Sequence, residues 1–151
     1  MRRHLTITLL LIIAAAISAA AQNAPKSDEA NGKEIGPVRS SSAYAETLLR
    51  KTELQADLES MLADYTDENP KVIDARFEIG VLTRDMDRLF GVRPSETGKL
   101  TEALGKMIVR RAGLATDLNR LLRAYSKDHP EVKRAKRRVE LFDAAIKEIL
   151  G

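Results

Sequence analysis

Cysteine is absent from all 151 residues. No disulfide can staple the fold, no thiolate is available as nucleophile or metal ligand, and no lipid can be attached through a thiol. Tryptophan is absent too, and aromatic residues make up only 4% of the chain. Sheet cores draw heavily on aromatic and β-branched residues, whereas Leu, Ile, Val, Met and Ala suffice for seams between helices. Histidine is nearly missing: His4 and His129 are the two present. A nucleophile–histidine–carboxylate scheme needs a histidine held in a pocket, and a metal site needs several ligands at matching spacing on one face. Neither pattern occurs, and there is no glycine-rich loop of the phosphate-cradling kind. Asp85 and Asp87 stand two apart on a helical pattern and therefore point away from each other. These deficits argue against an enzyme and against a bound cofactor or metal.

What is present begins with an export signal. Arg2 and Arg3 precede an apolar run from Leu5 to Ala21, broken only by Thr6, Thr8 and Ser18. Ala19-Ala20-Ala21 offers the small residues of a cleavage site, with Gln22 as the mature start. The run falls short of the roughly 20 apolar residues that span a bilayer, so residues 1–21 read as a cleaved signal peptide rather than a retained anchor. The expected location is the bacterial periplasm or the exterior. Formal charge is +3, but Arg2 and Arg3 leave with the signal, so the mature chain is near +1 (3 − 2). That balance does not fit a nucleic-acid-coating protein. Residues 22–42 hold Pro25, Gly32, Gly36, Pro37 and Ser40-Ser41-Ser42 with few apolar side chains. They cannot bury enough surface to offset chain entropy and read as a disordered tether.

The remainder repeats with a shift of 60 residues and no gap. Arg50, Leu54, Asp57, Leu58, Leu62, Tyr65, Pro70, Val72, Ala75 and Gly91 fall on Arg110, Leu114, Asp117, Leu118, Leu122, Tyr125, Pro130, Val132, Ala135 and Gly151. A fixed period of this kind is the mark of an internal duplication. Within each copy the apolar residues step by three and four. Leu54, Leu58, Met61 and Tyr65 lead to a turn, and Val72, Ala75, Ile79, Leu82, Met86 and Leu89 follow it. Leu100 to Tyr125 and Val132 to Ile149 do the same. An average step of 3.5 is the coiled-coil signature. Lys51 and Arg111 fall on these seams, where a long stem ordinarily packs its methylenes and snorkels its charge outward.

Tyr65-Thr66-Asp67-Glu68-Asn69-Pro70 and Tyr125-Ser126-Lys127-Asp128-His129-Pro130 separate the two arms of each copy. Proline fits the first turn of a helix and drives its predecessor out of helical geometry, which places Asn69 and His129 at the N-caps. A turn this short makes the arms antiparallel. Between the copies, Gly91 suits the left-handed position that closes a helix, and Ser95 can cap the next one. Gly151 holds the place matching Gly91.

The copies carry opposite charge. Residues 43–90 hold 6 Lys/Arg against 11 Asp/Glu, a net of −5, and residues 97–151 hold 13 against 7, a net of +6. Either the two hairpins of one chain lie against each other, or hairpins of successive molecules meet head to tail. The short connecting loop favours the first by raising effective concentration. The densest basic run is Lys133, Arg134, Lys136, Arg137 and Arg138, off the Val132/Ala135/Val139 seam. Such a run is either a solvated face or a binder of polyanions, and without interleaved aromatics it does not suit nucleic acid.

Leu62 to Val72 and Leu122 to Val132 resemble the Tyr-x-x-x-His-Pro-x-Val hairpin turns in the periplasmic coiled coils of polysaccharide chain-length determinant proteins. That family governs polymer length during envelope polysaccharide export. The resemblance covers the turn and part of each arm, and what it implies is hairpin geometry with Tyr65, Pro70, Tyr125 and Pro130 as turn residues.

Together these features predict an all-α fold: a signal peptide over 1–21, a tether over 22–42, and antiparallel coiled-coil hairpins over 43–91 and 95–151. The hairpins are expected to pack as a four-helix bundle, with an extended tandem coiled coil as the alternative. The expected function is a non-enzymatic interaction or scaffold protein of the cell envelope, whose seams hold a protein partner or a second copy. The alternatives are a chaperone-like envelope protein and a binder of anionic envelope polymers or lipids through the last helix.

Overall fold

Apolar steps of three and four, closed by a capped proline turn, give four long helices. The structure, a computed structural model, describes residues 36–151. The signal peptide and the tether up to residue 35 lie outside the described residues. The helices are α2 (Ser42–Asp64), α3 (Pro70–Leu89), α4 (Glu102–Ala124) and α5 (Pro130–Leu150), preceded by a single turn, α1 (Gly36–Arg39). A 3-10 turn, Pro94–Lys99, lies between α3 and α4. No strand occurs among the described residues, and the all-α architecture read from the sequence is the one observed. None of the described helices is long and apolar enough to cross a membrane.

The two proline turns are built alike. The Tyr65 N–H donates to the Met61 carbonyl and the Tyr125 N–H to the Leu121 carbonyl, each at 2.8 Å. The Asn69 and His129 N–H groups donate to the Thr66 and Ser126 carbonyls, each at 3.1 Å. Asn69 Oδ1 accepts from the Lys71 N–H at 2.9 Å, and His129 Nδ1 accepts from the Glu131 N–H at 3.2 Å. Both residues are therefore N-caps, and Pro70 and Pro130 each open a helix.

Each hairpin pairs its own arms, α2 with α3 and α4 with α5, and α4 also packs on both α2 and α3. Ala43 and Gly105 meet near the starts of α2 and α4, while Arg123 near the end of α4 reaches Asp74 beside the first turn. Hence α2 and α4 run parallel and both proline turns lie at one end. α5 has α4 as its main support. The four helices form a bundle of two side-by-side hairpins in which the first helix of the second hairpin rests on both helices of the first. Stacked helical repeats pack this way.

The core is thickest at the end opposite the turns, where Val38, Ala43, Leu82, Leu89, Leu100, Leu104 and Ile108 are buried together. Val72 and Val132 are buried beneath the turns. In two places the structure departs from the sequence reading. The tether ends before 42: α1 folds, Val38 is buried, and Ser41 caps α2 by accepting from the Tyr44 N–H. A single apolar residue among Gly, Pro and Ser left no periodicity to read there. The join between hairpins also differs. Among the described glycines the left-handed one is Gly151, with φ of 94°, and not Gly91. Ser95 lies inside the 3-10 turn, and Thr101 caps α4 by accepting from the Leu104 N–H, so the second hairpin's first helix starts at Glu102 rather than 95. Pro94 imposes the turn, and the apolar Leu100 after it is buried in the core.

Candidate interaction surface

The opposite charges of the two copies meet where α3 crosses α4. Asp74 accepts from Arg120 Nε at 2.7 Å and from Arg123 Nη2 at 2.5 Å. Burial alone pushes the Asp74 carboxyl upward, but the hydrogen bonds from Arg123 and Arg120 outweigh it and hold the group below the ordinary aspartate range. Farther along, Arg111 pairs with Asp85 of α3 and, at 3.3 Å, with Asp143 of α5. The Arg111 side chain is only 12% exposed and that of Asp85 5%. Arg111 thus does not snorkel: it bridges three helices, and its Nε is buried without a partner. Within the first hairpin Arg50 Nε donates to the buried Glu78 at 3.0 Å. Sequence periodicity did not single out Glu78 or Asp85, although Asp85 lies one position before seam residue Met86 and Glu78 one before Ile79. Lys51, expected on the seam like Arg111, is half-buried.

The basic run of α5 lies on the surface, and acids accompany it. Lys133 pairs with Asp128 at 3.2 Å, Arg134 with Glu131, and Lys136 and Arg137 with Glu140 at 3.8 and 3.6 Å. Exposed pairs of this type contribute at most about 1 kcal/mol each, but they neutralise much of the positive field that a polyanion would meet. Arg134 and Arg138 turn toward α4 and line a groove of about 260 Å³ with Arg120, Asp117 and Leu121. A substrate pocket usually exceeds about 300 Å³ and encloses its ligand, whereas this groove is open to solvent. Among the described residues no group of three His, Asp or Glu stands close enough to hold a metal ion.

The turn residues form a second surface. Tyr65 and Tyr125 are each nearly half exposed, as are Leu62 and Leu122 one helical turn before them. Tyr125 stacks on His129 with ring centroids 4.3 Å apart. The large exposed apolar residues elsewhere are Leu48 and Leu49 on α2 and Leu141 on α5. Leu141 lies beside the Val132/Ala135/Val139 seam, whereas Leu48 and Leu49 precede the apolar steps that start at Leu54 and carry no periodic signal of their own.

Fold and surface together define a class, an all-α bundle of two duplicated and stacked helical hairpins with apolar residues left open on its flanks and turns. Comparison with known proteins finds no matching family model, no matching curated protein and no matching solved structure.

Proposed function

We propose that this chain is a non-enzymatic, exported interaction protein of the bacterial cell envelope, a scaffold that engages helical partners through faces its own fold leaves uncovered. The observation that carries this reading is the set of exposed Leu48, Leu49 and Leu141 side chains on the outer helices α2 and α5. Leucines at such positions cost free energy in water and gain it when a second helix covers them, about 1.5–3 kcal/mol for a full burial. The export signal read from the sequence supports the envelope as the place of action.

The test is capture of the chain starting at Gln22 from its own envelope fraction, with particle size measured alongside. A defined partner or a self-assembled species supports the reading. A strict monomer that retains nothing from the fraction overturns it.

A second reading, binding of anionic envelope polymers through α5, draws on Lys133, Arg134, Lys136, Arg137 and Arg138 being displayed on one exposed helix. It requires binding that weakens with added salt, and binding to anionic vesicles that ignores salt, or no binding, ends it.

A further inference from the structure

The duplication makes the uncovered residues informative, because each has a counterpart 60 residues away whose surroundings are known. On α4 the face against the first hairpin includes Gly105, Ile108, Ala112 and Thr116, all buried. Their counterparts on α2 are Ala45, Leu48, Thr52 and Ala56, all exposed. These four, with Leu49, form one uncharged stripe at helical spacing. Leu48 is 40% exposed where Ile108 is 2%.

The other half of the joint shows the same contrast. On α3, Val81, Leu82 and Met86 are buried. Their counterparts on α5 are Leu141, Phe142 and Ile146, of which Leu141 is 54% exposed where Val81 is 3%, and the other two are half-covered. Each outer flank of the molecule therefore repeats one half of its internal joint, and the two halves are different. The first helix, α2, repeats the half that α4 supplies. The last hairpin repeats the half that α2 and α3 supply.

Charge agrees with this pairing. Inside the molecule the joint's acids are on α3 (Asp74, Asp85) and its bases on α4 (Arg111, Arg120, Arg123). At the free end of the second hairpin the counterpart of Asp74 is Arg134, which pairs with Glu131, and that of Asp85 is Ala145. Arg138 lies one turn after Arg134, so bases and a neutral residue stand where the internal joint has acids. The helix that would dock there belongs to the hairpin of net charge −5, with Glu46, Glu53, Asp57 and Glu59 beside the α2 stripe. The counterparts of Arg111, Arg120 and Arg123 on α2 are Lys51, Ser60 and Ala63, so complementarity comes from the neighbouring acids and from the opposite net charges of the two hairpins.

From these observations we infer that the partner is a second copy of this chain: α2 of one molecule stacks on α4 and α5 of the next. The inference rests on the scaffold reading above and names its partner. The contact joins two different faces, so it does not close on itself as a two-fold dimer does, and it extends into open chains or rings. The close crossing of Ala43 with Gly105 recurs between molecules as Ala103 against Ala45, small on both sides and slightly wider.

The experiment is sedimentation of the chain starting at Gln22, over concentrations up to millimolar, with two surface variants. One carries Leu48→Gln and Leu49→Gln, and the other Leu141→Gln with Arg138→Glu. All four side chains are exposed, and helicity by circular dichroism verifies that both variants fold. The wild-type chain is expected to form a concentration-dependent series of species, and each variant alone is expected to associate at least about tenfold more weakly. Mixed, the two variants are expected to form a one-to-one complex that grows no further, because each keeps the face the other lacks. A monomeric wild-type chain at millimolar concentration overturns the inference, as does failure of the mixed variants to pair. A monomer that still captures a different envelope protein leaves the scaffold reading standing while removing this one.

Discussion

Arg111 occupies a position where a coiled-coil seam ordinarily holds leucine, and its partner Asp85 is buried on the neighbouring helix. Two charges taken out of water gain little net stability, yet removing one leaves the other stranded. Arg111→Ala is therefore expected to destabilise the fold by about 3 kcal/mol or more, whereas the double change Arg111→Met with Asp85→Leu is expected to be close to neutral or stabilising. Urea unfolding of the three proteins measures both numbers. A small loss in Arg111→Ala would show that water reaches the pair. His129 offers a milder case at the same scale. It caps α5 through Nδ1 at 3.2 Å, while Asn69 does the same work for α3 at 2.9 Å with a residue better suited to it. His129→Asn is expected to stabilise the chain by up to about 1 kcal/mol, read as a higher urea midpoint at unchanged slope.

Between elements, the joint of α3 with α4 is an acid-sensitive one. Asp74 titrates below the ordinary aspartate range when folded, so the stability it contributes is fully present above about pH 4 and lost as pH falls through the folded value. Unfolding midpoints followed from pH 7 downward should drop in that acid window, and Asp74→Asn should flatten the part of the drop this joint causes. An equally steep drop in the variant would assign acid sensitivity to other carboxylates. Where α2 crosses α4, a Cβ on Gly105 would lie 2.9 Å from Ala43 Cα and 2.8 Å from Glu46 Cβ. Gly105→Ala is thus expected to cost about 1–3 kcal/mol by overpacking. Gly80 and Gly113, also inside helices, have nothing within 4 Å of an added Cβ. Alanine at either is expected to gain up to about 1 kcal/mol, and thermal unfolding of the three variants compares them directly.

The elements also show what a sequence can convey. Both proline turns, with the caps at Asn69 and His129 and the antiparallel arms, were legible, because Pro70 and Pro130 fix a backbone angle locally and the apolar steps fix a helix face. Burial of α1 was not, since Val38 is one apolar residue whose partners are far along the chain. The start of α4 was missed because Gly91 and Ser95 each suit a boundary, while Pro94 turned the chain into a 3-10 segment first. Glu78 and Asp85 were invisible as core residues because their partners, Arg50 and Arg111, are fixed by packing between helices and not by spacing along one. The outer flanks became visible only when positions 60 apart were compared for burial, which periodicity alone does not report.

For the molecule as a whole, burial is uneven. α3 buries eight of its residues and α5 buries Val132 alone. Local stability follows such burial, so amide hydrogens of α5 are expected to exchange sooner than those of α3 at equal pH, and those at the Val38–Leu104 end last of all. Exchange read by mass spectrometry on the chain alone, at low concentration, checks this order. In a stacked assembly α5 gains a neighbour, and its protection should rise with concentration while that of α3 stays constant. An α5 that is already the slowest segment in dilute solution would mean that α4 alone suffices to hold it.

Gly105 adds a consequence for how such an assembly would come apart. The seam inside one chain is drawn tight by a missing methyl, while Ala45 keeps that methyl at the corresponding place between chains. A filament made this way has alternating strong and weak links, and dilution would shed whole subunits long before any subunit lost its shape.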